Sequence, residues 1–522
     1  MINKKNLSNK VLMLLTCILL GCLFLVDKNY RVNHVFALIF VIFIFNKFKY
    51  SSFRRMVYYI IITFSIMGAA LSIPLGENLF LSRFNIYYLY IGIYILSLII
   101  DIYRKNIKVK FREIAKKKIN IVSILFMIYV FGSIIITDNK NLALKQSFIY
   151  VVMFMLFMIV VNENIKSNDR KDTLKLILYI SFGIIILGSF KIVTAINIEA
   201  ISVYSDYNII VGQAQEYMKR IPTVFFYNPN DYALVVVLIL LVYFGKIING
   251  GVNNSRKYVV LYIIAQINLI YTSSRTGWIS LVVAMFVIGI YFMFNFNKDM
   301  IKSWGIMFAV TIVVFVGLSY SPFSQPYYGK FKNTPKEISI SVKGKEVYLV
   351  SINDKIYREL PSQNKGEKFL GCTIGEESSM NKRVTLIYDV LKGIFKEKRY
   401  LGFGIGNTAQ YIMEQNNTYG LYNVHSFWFE LLGDFGLIGF ALFIFIYIYL
   451  FIKLIRKKSK NSLDNNICIL VLVAMVLLVF GPSSVVPFTV FWISLAMVYS
   501  NILNVSTMKK SGEKEEKNEI NK

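Results

Sequence analysis

Apolar runs recur along the chain at residues 11–26, 34–46, 57–74, 86–103, 119–137, 146–162, 174–194, 231–245, 257–272, 276–294, 303–320, 427–453, 466–481 and 485–503. A hydrocarbon core about 30 Å thick takes about 20 helical residues, and no water inside it satisfies an unpaired peptide group. A chain patterned this way is expected to fold as an all-α polytopic membrane protein of about 12–14 spans. The first run follows "MINKKNLSNK" without a small-x-small cleavage site, so it reads as a retained first span.

Composition agrees, with 56% of residues hydrophobic. The formal net charge of +28 would suit a nucleic-acid binder, but the basic residues concentrate in loops between spans. Placing the N-terminus in the cytoplasm puts "NKFKYSSFRR", "RKNIKVKFREIAKKK", "GKIINGGVNNSRK" and "KLIRKKSKNS" all inside, as the positive-inside rule asks. Cys17, Cys22 and Cys468 fall in apolar runs, and Cys372 lies alone in an outer loop, so no disulfide framework is expected.

This topology divides the chain into N-terminal spans (1–194), central spans with outer segments (195–320), a large extracytoplasmic loop (321–424), C-terminal spans (425–503) and a disordered cytoplasmic tail (504–522). In the large loop, "KEISISVKGKEVYLVSINDKIYREL" alternates apolar and polar residues around turn signals and predicts a small strand-rich insert. "NKRVTLIYDVLKGIFK" then predicts an amphipathic helix with Val384, Ile387, Val390, Leu391 and Phe395 on one face, suited to the membrane surface. No tandem repeat relates parts of the chain.

Four segments place polar or titratable groups at outer span ends: "RIPTVFFYNPNDYA" (220–233), "YTSSRTGW" (271–278), "NKRVTLIYDVLKGIFKEKRYLGFGIGN" (381–407) and "NVHSFWFELLGDFG" (423–436). Each has a structural reading by itself. Arg220 and Arg275 suit snorkelling to headgroups, and Asn228 or Asn230 with Pro229 suits a helix start. "GFGIGN" lacks the lysine of a phosphate loop and reads as a flexible turn. His425, one of two histidines, suits an interfacial position at a helix start. Taken together they suit chemistry. Arg220, Arg275 and Arg383 are donors for a pyrophosphate, and neutral His425 is a base for a sugar hydroxyl. No zinc-hydrolase, serine-hydrolase or NTPase motif is present, and no paired acidic set suits a divalent metal.

In their order, the four segments resemble the O-antigen ligase and O-antigen polymerase superfamily, which includes capsule and teichuronic acid polymerases, over about residues 210–455. The resemblance implies a GT-C-like membrane glycosyltransferase acting outside the cytoplasmic membrane on undecaprenyl-pyrophosphate-linked glycans, with no nucleotide sugar, metal or other cofactor. It implies donor-binding roles for Arg220, Arg275 and Arg383 and a catalytic role for His425, and Asp434 falls where the family often has an acidic residue; Asn230, in "NPND", and Asp434 complete the expected substrate-binding set. Implied partners are the lipid-linked donor, a glycan acceptor, the bilayer, a flippase and a chain-length regulator. Two departures stand out: Ser426 replaces the asparagine that commonly follows the histidine, and the insert at 321–380 is long.

The Ile-, Asn- and Lys-rich composition suits an AT-rich genome, as in a Gram-positive cell without lipid A. It favours a polymerase joining lipid-linked repeat units over a ligase moving finished glycan to lipid, protein or wall. A lipid-linked oligosaccharide flippase or other transporter would instead place charged groups at mid-membrane. A structural or sensory protein would leave the four segments unexplained.

Overall fold

The computed structural model describes residues 4–26, 31–49, 51–75, 83–103, 118–196, 220–295, 297–319, 339–342, 345–348, 367–375, 379–418, 420–457, 462–482 and 484–503. It is an all-α polytopic membrane protein with almost no sheet. All fourteen apolar runs coincide with helices. In chain order these are α1 (Lys4–Val26), α2 (Arg31–Lys47), α3 (Phe53–Met67), α4 (Ile86–Tyr103), α5 (Lys118–Gly132), α6 (Lys140–Glu163) and α7 (Ser167–Thr194). They continue as α8 (Pro229–Gly250), α9 (Arg256–Tyr271), α10 (Arg275–Phe294) and α11 (Lys298–Ser319). After α12 (Ser379–Leu391) and α13 (Thr408–Gln415) of the large loop come α14 (Phe427–Ile455), α15 (Leu463–Leu478) and α16 (Thr489–Leu503). Among the described residues, eight of these helices are long and apolar enough to cross a membrane.

A helix apolar on every side belongs at the centre of a bundle, and α8 occupies that place with 83% of its apolar window buried. It packs against α7, α9, α10, α11 and α15. By contrast α11 is only 17% buried and presents Val313 and Val316 outward, as a lipid-facing helix does. Asn228 accepts from the Asn230 N–H ahead of Pro229 to start α8, and Ser274 accepts from the Gly277 N–H to start α10.

A buried ionic network ties the N-terminal helices together at one end of the bundle. Glu163 on α6 accepts from Arg54 Nε (3.1 Å), Arg55 Nη1 (3.2 Å) and the Tyr94 hydroxyl (2.6 Å), while Arg54 also pairs with Asp101 at 2.9 Å. Arg55 reaches α7 through the Asp169 carbonyl (2.6 Å) and Thr173 Oγ1 (3.1 Å). These bonds join α3, α4, α6 and α7, and Arg170 adds α15 through Asp464 at 3.3 Å.

In the large loop, antiparallel hairpins pair Ser339–Val342 with Lys345–Tyr348 and Lys368–Phe369 with Cys372–Thr373. The expected strands on either side of the first hairpin, the 197–219 segment and the 504–522 tail lie outside the described residues. The amphipathic helix α12 forms, but its burial differs from the expectation. Leu386, Val390 and Ile394 are buried against Phe403, Tyr411, Ile412, Val424 and Leu432, whereas Phe395 is 52% exposed. Protein, rather than lipid, covers most of this helix's apolar stripe.

Candidate functional site

The segment before α8 begins with Arg220, whose Nη1 donates to the Ile192 and Val193 carbonyls at 2.8 Å each. Those carbonyls are left without intrahelical partners in the last turn of α7, so Arg220 closes that helix. Its charge reaches Tyr271 at the end of α9. Four residues on, Val224 has φ +55°, a left-handed conformation that a β-branched side chain rarely takes. Ser273 (φ +59°), Lys398 (φ +60°) and His425 (φ +54°) share it, so each of the four motif segments holds a strained non-glycine residue.

Arg275 opens α10 directly after the Ser274 cap. It is exposed and makes no hydrogen bond or ion pair among the described residues. A Cβ on Gly277, one turn in, would lie 3.4 Å from the Ala233 Cβ, so the start of α10 abuts the first turn of α8. Asn230 lies in that first turn, partly exposed, with its Cβ 3.6 Å from where a Gly481 Cβ would stand. Gly481 belongs to the short loop between α15 and α16.

That loop holds the start of α14. The Phe427 N–H donates to the Val479 carbonyl at 3.0 Å, and the Ser484 hydroxyl donates to Glu430 Oε1 at 2.7 Å. The His425 ring hydrogen-bonds the Gly481 backbone, while its Nδ1 has no partner among the described residues. A ring N–H held by the Gly481 carbonyl leaves the lone pair on Nδ1. Burial first, and then the charge of Arg383, push the His425 pKa down to about 4, with the Gly481 bond acting against them. The imidazole is therefore neutral at physiological pH.

Arg383, on α12, is the cation beside His425. It is partly buried and has no hydrogen bond or ion pair among the described residues. Burial lowers its pKa from the ordinary arginine value, but a guanidinium remains charged throughout the physiological range. A desolvated cation without a counter-ion is unfavourable, and a bound anion relieves that cost. Ser426 is buried with its hydroxyl unpartnered, so it does not cap α14 through its side chain.

Asp434 sits differently. Its Oδ2 accepts from the Gly406 N–H (2.9 Å), and its Oδ1 accepts from the Thr408 N–H (3.1 Å) and hydroxyl (2.6 Å). Its own carbonyl accepts from Gly404 N–H at 2.9 Å. The carboxylate thus fastens "GFGIGN" and the start of α13, so this turn is clamped where the sequence suggested flexibility. Gly436 has φ +59° and breaks α14, and a Cβ there would come within 2.2 Å of the Tyr400 carbonyl oxygen. Only glycine admits so close a backbone approach.

The structure therefore brings Arg220, Asn230, Arg275, Arg383 and His425 to one end of the bundle. The links run Arg220 to Tyr271, Gly277 to Ala233, Asn230 to Gly481, Gly481 to His425 and His425 to Arg383. The sequence reading missed Gly481, Ser484 and Glu430. Its signal was "GPSSVVP" between the last two apolar runs, a turn-forming stretch at the same end of the bundle.

Residues 259–444 match the family model described as O-antigen ligase. The match contains Arg275, Arg383, His425 and Asp434, and Arg220 and Asn230 precede it. None of the curated proteins compared matches the chain. The match over residues 259–444, set among apolar membrane helices, supports placing this integral membrane protein with the O-antigen ligase and polymerase superfamily.

Proposed function

We propose that the protein is a polysaccharide polymerase that transfers a growing glycan from undecaprenyl pyrophosphate to a hydroxyl of a second lipid-linked repeat unit. The reading places the reaction at the outer face of the cytoplasmic membrane. The observation that carries it is the pairing of a neutral His425, its Nδ1 lone pair unpartnered, with the partly buried and uncompensated cation of Arg383.

In this reaction His425 Nδ1 takes the proton from the acceptor hydroxyl as its oxygen bonds to the donor's anomeric carbon. The bond from that carbon to the pyrophosphate oxygen breaks, and the lipid pyrophosphate leaves with the electron pair. Arg383 and Arg275 bind the phosphate oxygens through their parallel N–H donors, and Arg220 adds its charge at the rim while holding α7 closed. Asn230 lines the acceptor side beside Gly481. Asp434 acts by holding the 403–408 loop under the site.

Anion binding also tunes the base. A pyrophosphate on Arg383 offsets the cation that depresses His425, raising the imidazole pKa toward the range in which a general base works best. The test incubates purified protein with lipid-linked repeat units and resolves product length for wild type, His425→Ala and Arg275→Ala. Full elongation by both folded variants would remove the mechanism. Transfer of intact glycan to another acceptor, without elongation, would make the protein a ligase using the same site.

A further inference from the structure

A narrow apolar crevice of about 110 Å³ runs between α7, α8, α15 and α16, reaching from Val235 and Val490 toward the end of the bundle away from His425. Its walls include Leu174, Ile239 and Val471, and one end is polar, formed by Arg170, Asp464 and Asn501. Arg170 lies near the first turn of α7, whereas Arg220 closes the last turn. At about 1.5 Å per residue, the 22 residues from Arg170 to Ile192 separate the two ends by about 33 Å. The polar end of the crevice therefore lies at the opposite membrane face from the proposed transfer site.

The polar end is basic. Lys246 on α8 lies within electrostatic reach of Lys171, Lys175, Lys257 and Asp464, and Lys457 within reach of Arg170 and Asp464. The acidic groups near this rim are Asp464, already paired with Arg170 at 3.3 Å, and Asp169 and Asp172 on α7. Lys457 donates to the Asn501 side-chain oxygen at 2.8 Å. The cations outnumber the acids, so an anionic group is the ligand that this rim complements.

We propose that this crevice binds one acyl chain of an anionic phospholipid from the near leaflet, with its phosphate on the basic rim around Lys246 and Lys175. Along α7 the lining runs from Arg170 to Ile184, about 21 Å at about 1.5 Å per residue. One leaflet is about 15 Å of hydrocarbon, half the bilayer core, so the crevice is long enough for a single phospholipid tail to lie along it. Transfer of a tail from bilayer to crevice gains little hydrophobic free energy, because both surroundings are apolar. Selectivity must come from the headgroup, and that is where the lysines stand.

The test reconstitutes full-length protein in phosphatidylcholine vesicles with graded phosphatidylglycerol and counts co-purifying lipids by native mass spectrometry. One phosphatidylglycerol per protein is expected, with Lys246→Gln and Lys175→Gln each weakening its retention about fivefold, the effect of one basic residue near an anionic lipid. Ser494→Phe, which fills the crevice wall, should remove it, with thermal melting as the check on folding. Equal retention of both phospholipids, or unchanged retention in the lysine variants, would overturn the proposal. So would displacement of the phosphatidylglycerol by polyprenyl phosphate. These readouts do not depend on glycan transfer, so the site can stand or fall apart from the polymerase reading.

Discussion

At His425, burial and the Arg383 guanidinium both disfavour the imidazolium, and only the Gly481 carbonyl favours it. With a native pKa of about 4 against an unfolded value of about 6.5, the unfolded chain takes up the proton first as the pH falls. Stability should therefore decline between about pH 6.5 and pH 4, and His425→Gln should flatten that part of a denaturation-against-pH curve. Arg383→Gln removes the cation and should raise the His425 pKa, moving the acid limb of kcat/KM to higher pH. His425→Ala should lower kcat by about 10²–10⁴-fold while the protein remains folded, as loss of a general base does. Arg220 shows where residue chemistry outran the sequence: a guanidinium suited to phosphate is also suited to a helix's last carbonyls, and it bonds those of Ile192 and Val193.

Among the elements, α12 to α14 act as one unit because the carboxylate of Asp434 satisfies one donor from the loop before α13 and two from Thr408 at its start. Asp434→Ala leaves the buried Gly406 and Thr408 groups without that partner, at about 1–3 kcal/mol for each group left unpaired. Limited proteolysis should then cut first within 400–407. Gly436→Ala should do more damage, since a Cβ cannot fit beside the Tyr400 carbonyl. The helices themselves were legible because long apolar runs are separated by charged loops, a pattern that membrane thickness imposes. The α12 face was harder to read. The expected stripe of Val384, Ile387, Val390, Leu391 and Phe395 overlaps the covered one, in which Leu386, Val390 and Ile394 are buried and Ile387 and Leu391 pack at the edge, and only the arrival of Phe403 and Tyr411 decides which residues are covered. The Asp434 clamp crosses 26 to 28 residues and leaves no periodic trace. The Gly481 loop was concealed by being a short break between two spans.

Across the molecule, the Glu163 network and the His425 site stand at opposite ends, joined by α7 and α8. Glu163→Ala strands the buried Arg55 charge and should cost about 3–5 kcal/mol, the penalty for breaking a buried pair. A lower melting temperature in detergent, with elongation per folded molecule preserved, is the expected result. The break at Gly436 bears on where the site sits in the bilayer. From Leu437 to Ile455, α14 runs 19 residues, about 28 Å at about 1.5 Å per residue and nearly the whole hydrocarbon thickness. The glycine thus works as a depth gauge. With the later stretch filling the oily layer, Glu430, Asp434 and His425 are lifted to the level of the headgroups, where the phosphates of a lipid carrier also ride. In the proposed reaction the acceptor sugar would then arrive from water and the donor sideways from the membrane, and the two would meet on a shelf that one missing side chain sets at the right height.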